Sequence, residues 1–119
     1  MLFAFYCLDG PNAPALRAQW IDKHKAYIAE VAGRIAFAGP LLDAPEGDAK
    51  GSLLVLDFPD LSAAKDWIAT EPFNRAGVYA SIQVEHFANL VMDPERDAYP
   101  AEDGVGNARV LELVGRSAA

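Results

Sequence analysis

The chain contains four strand-sized apolar runs and two helical patterns. Their order restricts the fold more than any other feature of the sequence. The runs are too short to cross a membrane. They predict strands over residues 2–8, 34–42, 52–58 and 78–91. Gly39 and Pro40 are predicted to interrupt the second strand. The order strand, helix, strand, strand, helix, strand predicts an α+β, ferredoxin-like βαββαβ plait, an antiparallel sheet with two helices on one face.

Ordinary helix signals bound the two predicted helices. The first begins just after the "PNAP" of residues 11–14 and ends at Gly33, a residue type common directly after helices. The second covers residues 59–73, with Ser62 as its candidate N-cap. Pro72 enforces the end of this helix, because the residue before a proline is disfavoured in helical angles.

Chain length and the composition of the last quarter indicate one domain followed by a tail. A chain of 119 residues suits a single core. The predicted strands and helices occupy residues 1–91. Residues 92–119 are rich in Asp, Pro, Gly and Ala until a late apolar stretch, "ARVLELVGR". We predict that this C-terminal tail packs on the core or on a partner subunit.

Charge and motif content argue against several classes of function. With 17 acidic and 10 basic residues the net charge is −7, and no Lys and Arg cluster is visible, so neither nucleic acid nor a membrane surface is expected as a partner. His24 and His86 lack a second ligand at a standard metal spacing, and no glycine-rich phosphate loop follows a strand. The sequence therefore implies no metal and no cofactor.

The beginning of the sequence and its single cysteine favour a cytoplasmic protein. The stretch "MLFAFYCLDG" lacks a basic region and reaches Asp9 early, so it is interpreted as a first strand and not as a signal peptide. Cys7 lies in that strand and has no partner for an intrachain disulfide, which fits a reducing compartment.

A histidine occupies the apolar face of the first helix. At about 100° per residue, His24 falls near the centre of a sector of about 120°. The apolar residues of this sector are Leu16, Trp20, Tyr27, Ile28 and Val31. His24 therefore points inward, either as a neutral core histidine bonded to a carbonyl or a tyrosine hydroxyl, or as a chemically active group. The helix pattern alone leaves both interpretations open.

One face of the predicted sheet has no helix to cover it. Apolar residues such as Ile82 and Val84 on the last strand, and Leu54 and Leu56 on the third, would then leave a patch of roughly several hundred Å² in water, at about 25 cal/mol per Å². Twofold pairing of two sheets, face to face, buries such a patch on both copies. We therefore predict a homodimer or a higher multiple.

Three segments and the first-helix His24 carry a family resemblance. They are "AGPLLD" at residues 38–43, "GSLLV" at 51–55 and "EPFNRAGVY" at 71–79. In order and spacing they resemble the YCII-related (YciI-like) family of small dimeric α/β-barrel proteins, over roughly three quarters of the chain. The resemblance implies a ferredoxin-like fold, a homodimeric α/β barrel, and a cleft in which the first-helix histidine meets an acidic residue.

The resemblance assigns that acid to Glu71. The family's usual acid lies in an Asp-Pro-Phe turn. The aligned turn here is Glu71-Pro72-Phe73, which keeps the carboxylate but places it one methylene further out. At a predicted helix C-terminus, the helix dipole disfavours an anion by a few tenths to about 1 kcal/mol, and a cationic neighbour would offset this cost. If His24 is that neighbour, the carboxylate orients the imidazole. Otherwise Glu71 is simply solvated.

Further residues are candidates for the cleft. The resemblance implies that four residues line the cleft, because of their positions in the family's segments: Pro40, Ser52, Phe73 and Tyr79. Arg17, on the His24 side of the first helix, either binds a substrate carboxylate or is an ordinary surface arginine. The residues assigned to the core are Trp20, Trp67 and Phe58.

The resemblance favours a small cofactor-independent enzyme, since members include a dehydrochlorinase of a chlorinated muconolactone-type lactone. In this hypothesis His24 is the general base and Glu71 orients it. A proton is abstracted from a small polar organic acid or lactone in a lyase or isomerase step. The alternative is a non-catalytic ligand-binding or accessory protein with the same cleft. A third hypothesis is an oxygenase-like barrel without cofactor.

Overall fold

The computed structural model describes residues 1–91, which form four strands and three α-helices. In chain order they are β1 (Leu2–Asp9), α1 (Ala13–Glu30), β2 (Ile35–Leu42), β3 (Ala49–Asp57), α2 (Leu61–Ala69), α3 (Pro72–Ala76) and β4 (Tyr79–Phe87). Neighbouring strands are antiparallel, in the order β2-β3-β1-β4. The α+β, ferredoxin-like fold predicted from the sequence is confirmed. The predicted tail at 92–119 lies outside the described residues.

Rows of paired side chains build the face of the sheet that the helices cover. Phe5 of β1 pairs with Leu54 of β3 and with Val84 of β4, and residues paired across antiparallel strands share a face. The rings of Phe58 and Trp67 pack around Phe5, with centroids 6.1 and 5.4 Å from its own. Both rings are buried, which confirms their assignment to the core. This aromatic cluster joins α2 to the centre of the sheet.

The strand register corrects the predicted composition of the uncovered face. Leu54, Leu56, Ile82 and Val84 all lie on the helix-covered face, because they pair with the buried Phe3, Phe5 and Cys7. The opposite side, here called the open face, is formed by the intervening residues of each strand. Its apolar members on β1, β2 and β3 include Ala4, Tyr6, Phe37, Leu53 and Val55. On β4 it is formed by the polar residues Ser81, Gln83 and Glu85 and, at the end of the strand, by Phe87, whose ring contacts Phe37.

We propose that a second copy of this chain covers the open face. Tyr6 and Phe37 expose 42% and 41% of their surface there, and burying such rings is favourable. Sedimentation at micromolar concentration is expected to give a mass near twice 12.8 kDa, or a higher multiple. Tyr6→Lys, which places a charge on this face, is expected to shift the mass towards the monomer. Ala26→Lys on the exposed side of α1 is the matched control, and a stable wild-type monomer would contradict the prediction.

The boundaries of α1 and β4 differ from the predicted ones. α1 begins at Ala13, before the predicted start, because Pro14 fits the first helical turn, where its missing N–H is not needed. It ends at Glu30, and Gly33 lies in the 3₁₀ turn beyond it instead of capping the helix. β4 ends at Phe87 and not at residue 91. No helix within residues 1–91 has the length and apolar character needed to span a bilayer.

Two further local predictions were wrong. Asp60, and not Ser62, caps α2, because the Asp60 side chain accepts a hydrogen bond from the backbone N–H of Ala63 at 2.8 Å. β2 also continues through Gly39 and Pro40 without a break. It lies at an edge of the sheet, where a proline can face away from the neighbouring strand.

Candidate active site

His24 of α1 and Glu71 form a hydrogen-bonded pair that is fully buried. His24 Nδ1 lies 2.5 Å from Glu71 Oε1, and neither side chain is accessible to solvent. When Glu71 is ionised, its carboxylate can only accept hydrogen bonds, and Nδ1 then carries the proton and donates the hydrogen bond to Oε1. The partner predicted for a neutral core histidine was a carbonyl or a tyrosine hydroxyl. The structure instead pairs His24 with a carboxylate.

Glu71 is also the N-cap of α3, a helix that the sequence analysis missed. Its Oε2 accepts a hydrogen bond from the backbone N–H of Asn74 at 3.1 Å, while Oε1 faces His24. The interpretation of Glu71 as an anion stranded at a helix C-terminus was therefore wrong, because the start of α3 supplies an N–H donor. Pro72 in the first turn of α3 and the left-handed Gly77 at its end, with φ 87°, are the two signals that indicate this helix.

The second ring nitrogen of His24 has no hydrogen-bond partner. Nε2 is buried, and none of the described residues donates to it or accepts from it. Buried polar atoms are nearly always paired, so an unpaired one calls for a reason. With Nδ1 protonated, a neutral imidazole carries its lone pair on Nε2, and this nitrogen is then able to accept a proton.

The ring of Phe73 contacts both His24 and Arg17. The imidazole stacks on Phe73 with ring centroids 3.9 Å apart and planes 4° from parallel. Arg17 Cζ lies over the same ring, 5.1 Å from its centroid. Arg17 and His24 are two helical turns apart, or about 10 Å along the axis of α1, which leaves room for one aromatic ring. α3 places Phe73 in this gap.

Arg17 is the centre of a polar network at the end of the sheet. Its guanidinium donates to both carboxylate oxygens of Asp9, at 2.8 and 2.9 Å. Its Nη2 also donates to the carbonyl of Gly51 at 3.1 Å and to Ser52 Oγ at 3.2 Å, and the Tyr79 hydroxyl donates to the same Oγ at 2.9 Å. Asp9, at the end of β1, therefore neutralises Arg17 through a bidentate ion pair.

Six of the seven predicted site residues form one cluster. Direct contacts join His24, Glu71, Phe73, Arg17, Ser52 and Tyr79. Pro40 pairs with Ser52 across β2 and β3 but takes no part in these hydrogen bonds and ring contacts. Within residues 1–91 no three His, Cys, Asp or Glu side chains lie close enough together to hold a metal ion.

The part of the cluster around His24 is closed to solvent. His24, Ser52, Glu71 and Phe73 have no accessible surface. A cleft of about 360 Å³ lies outside the His24–Glu71 pair, between α1 on one side and the end of α2 and α3 on the other. This helix cleft is lined by Trp20, Lys23, Thr70, Pro72, Arg75 and Ala76. Trp20, predicted to be core, is only partly buried because it forms one wall of the cleft.

Cys7, beside the cluster, and Tyr79, a member of it, both stay protonated at neutral pH. Burial raises the pKa of the Cys7 thiol to about 12, and the negative charge of Glu71 adds to this effect. Burial and the Glu71 charge also raise the pKa of the Tyr79 hydroxyl well above its ordinary value. Neither residue is therefore an anionic nucleophile or a base at neutral pH.

Cys7 is accordingly expected to resist alkylation in the folded protein. The thiolate is the reactive form, and a pKa of about 12 leaves almost none of it at pH 8. Iodoacetamide at pH 8, followed by mass spectrometry, is expected to leave the folded chain unmodified and to label it completely in urea. Equal labelling rates in the two states would contradict the buried, protonated thiol.

Comparison with known proteins assigns the chain to a protein family. The family model of the YCII-related domain matches residues 1–88. The chain belongs to this family. An uncharacterised protein of Haemophilus influenzae is 33% identical over 97 residues, which covers 76% of this chain and 99% of the relative. Protein YciI of Escherichia coli O6:H1 is 29% identical with the same coverage, and so is protein YciI of Shigella flexneri.

A solved structure of this YCII-related chain's fold is that of an enzyme. It is the 5-chloro-2-hydroxyhydroquinone dehydrochlorinase of Burkholderia phenoliruptrix AC1100, in complex with 2,5-dihydroxybenzoquinone. The TM-score is 0.70 at 29% sequence identity, and the match covers 74% of this chain and 94% of the dehydrochlorinase.

Proposed function

We propose that this YCII-related chain is a small cofactor-independent enzyme of the lyase or isomerase type, with His24 as its general base. The observation that carries the proposal is the buried, unpaired Nε2 on an imidazole whose Nδ1 is held by Glu71. Glu71 keeps the ring in the tautomer that has its lone pair on Nε2, and it stabilises the imidazolium formed when Nε2 takes a proton.

The reaction we propose is loss of hydrogen chloride from a small, polar, chlorinated ring or lactone. Nε2 takes an acidic proton from the substrate, the electron pair left behind forms a new double bond, and the carbon–chlorine bond breaks to release chloride. Nε2 then returns its proton to water. The dehydrochlorinase with the same fold supports this reaction class. Asp9 already neutralises Arg17, so the geometry favours an uncharged ring over a carboxylate as the group that meets this network.

Because His24 is fully buried, the helix or loop that covers it has to move before a substrate can reach Nε2. α3 is this helix in our proposal. It carries Phe73, whose ring lies flat on the imidazole, and it is only five residues long, with Gly77 at its end. A planar substrate ring would take the place of Phe73 against His24, because it offers the imidazole a similar stacking surface.

Chloride release tests the proposal directly. The wild-type chain is incubated separately with 5-chloro-2-hydroxyhydroquinone and with a chlorinated muconolactone, and chloride is measured against the rate without protein. We expect release proportional to protein concentration with at least one substrate, and loss of that release in His24→Asn. Equal release by wild type and His24→Asn would contradict the assignment of the base.

A non-catalytic binding protein is the second candidate, and the complete burial of His24 and Glu71 favours it. In that case the chain binds 2,5-dihydroxybenzoquinone without releasing chloride from the chlorinated substrates. The binding shifts the NMR resonances of the His24 ring. Chloride release that depends on His24 would exclude this candidate.

A further inference from the structure

Two cations face the helix cleft of this acidic protein. Lys23 of α1 and Arg75 of α3 stand on opposite walls, and none of the Asp and Glu residues within 1–91 lines the cleft, although the chain carries a net charge of −7. Glu71 lies between the lining residues Thr70 and Pro72 in the sequence. Its side chain is buried and hydrogen-bonded to His24 and to the backbone N–H of Asn74.

Neither cation forms an ion pair with the part of the chain that the structure describes. Within residues 1–91, no carboxylate lies within 4.0 Å of Lys23 or of Arg75, whereas Arg17 is paired with Asp9. The Lys23 ammonium rests over the indole of Trp20, with Nζ 4.9 Å from the ring centroid. The cleft therefore combines positive charge with a partly exposed aromatic wall.

We propose that the helix cleft binds a small planar organic anion, such as an aromatic carboxylate. The ring packs against Trp20, and the carboxylate lies between Lys23 and Arg75, whose planar guanidinium suits two parallel hydrogen bonds to a carboxylate. A volume of about 360 Å³ has room for one substituted ring. This site lies outside the buried pair, and it needs no chemistry at His24.

Binding is tested with benzoate as the probe and the Trp20 indole N–H as the reporter in ¹⁵N NMR spectra. A ligand of this size on an exposed cleft is expected to bind with a Kd on the order of 1 mM. The Trp20 signal is expected to shift with benzoate concentration, while the signal of Trp67, which lies in the core, stays in place. Benzamide, which has the same shape without the charge, is expected to bind about tenfold more weakly.

Charge-removing variants assign the two cations. Lys23→Gln and Arg75→Gln are each expected to weaken benzoate binding about fivefold, in the range of one exposed ion pair. Lys25→Gln removes the same charge from an exposed position of the same helix and is expected to leave binding within about twofold of wild type.

Three results would overturn the anion site: no benzoate-dependent shift of Trp20, equal binding of benzamide, or unchanged binding in the Lys23→Gln/Arg75→Gln double variant. Chloride release is not part of this test. A failure of the His24 mechanism therefore leaves the anion site standing, and the reverse also holds.

Discussion

His24→Asn is expected to lower the rate of chloride release by about 10²- to 10⁴-fold, the usual contribution of a positioned general base. The asparagine amide can replace Nδ1 as the donor to Glu71, so the buried carboxylate keeps a partner. It has no nitrogen lone pair in place of Nε2 and cannot accept the proton. The measurement is kcat/KM for the chlorinated substrate, with circular dichroism as the check on folding.

His86→Asn is the matched control for this substitution. His86 is the second histidine of the chain and lies exposed on β4, where it contacts Phe3 with ring centroids 4.8 Å apart. We expect its turnover to stay within about twofold of wild type, because surface changes of this kind cost little. A His24→Asn variant that is folded and as active as His86→Asn would contradict the role of Nε2.

Glu71→Ala is expected to lower the free energy of unfolding by about 2–4 kcal/mol, because it removes a buried hydrogen bond to a charged group and the N-cap of α3. Two groups lose their acceptor at once: the Nδ1–H of His24 and the backbone N–H of Asn74 at the start of α3. The cap accounts for about 1 kcal/mol of this loss. Urea denaturation followed by circular dichroism measures it.

Two variants separate the parts played by Glu71. Glu71→Gln offers one acceptor oxygen for two donors, so an intermediate loss of about 1–3 kcal/mol is expected. Glu30→Ala removes an exposed glutamate from the end of α1 and is expected to stay within about 0.5 kcal/mol of wild type. Equal stability of Glu71→Ala and Glu30→Ala would show that the buried pair contributes nothing to the fold.

Periodicity was sufficient to predict the order of the four strands and the two longer helices, and the burial of His24. The repeat of apolar residues along α1 marks its inner face, and His24 lies on it whatever the helix packs against. Glu71 was assigned as its partner through the family resemblance, because the two residues are 47 positions apart and no local pattern connects them. The exact ends of α1 and α2 were missed, since several residue types compete for the caps.

Sequence patterns missed two kinds of feature: very short helices and contacts between distant segments. α3 has five residues, fewer than two helical turns, so its hydrophobic pattern has no period to detect. The ion pair of Arg17 with Asp9 joins α1 to the end of β1, and each residue has an ordinary surface interpretation on its own. Trp20 was assigned to the core because its helical position cannot show that α3 stops short of covering it.

The sequence by itself determined the alternation of strands and helices and the side of α1 that faces inward, because both depend on the spacing of apolar residues along one segment. Only the tertiary structure decided which atoms meet. The placement of Phe73 between Arg17 and His24, the unpaired Nε2, and the face of the sheet that carries Tyr6 all depend on strand register and on the packing of α3. These are contacts between distant segments, and their geometry follows from how the whole core closes.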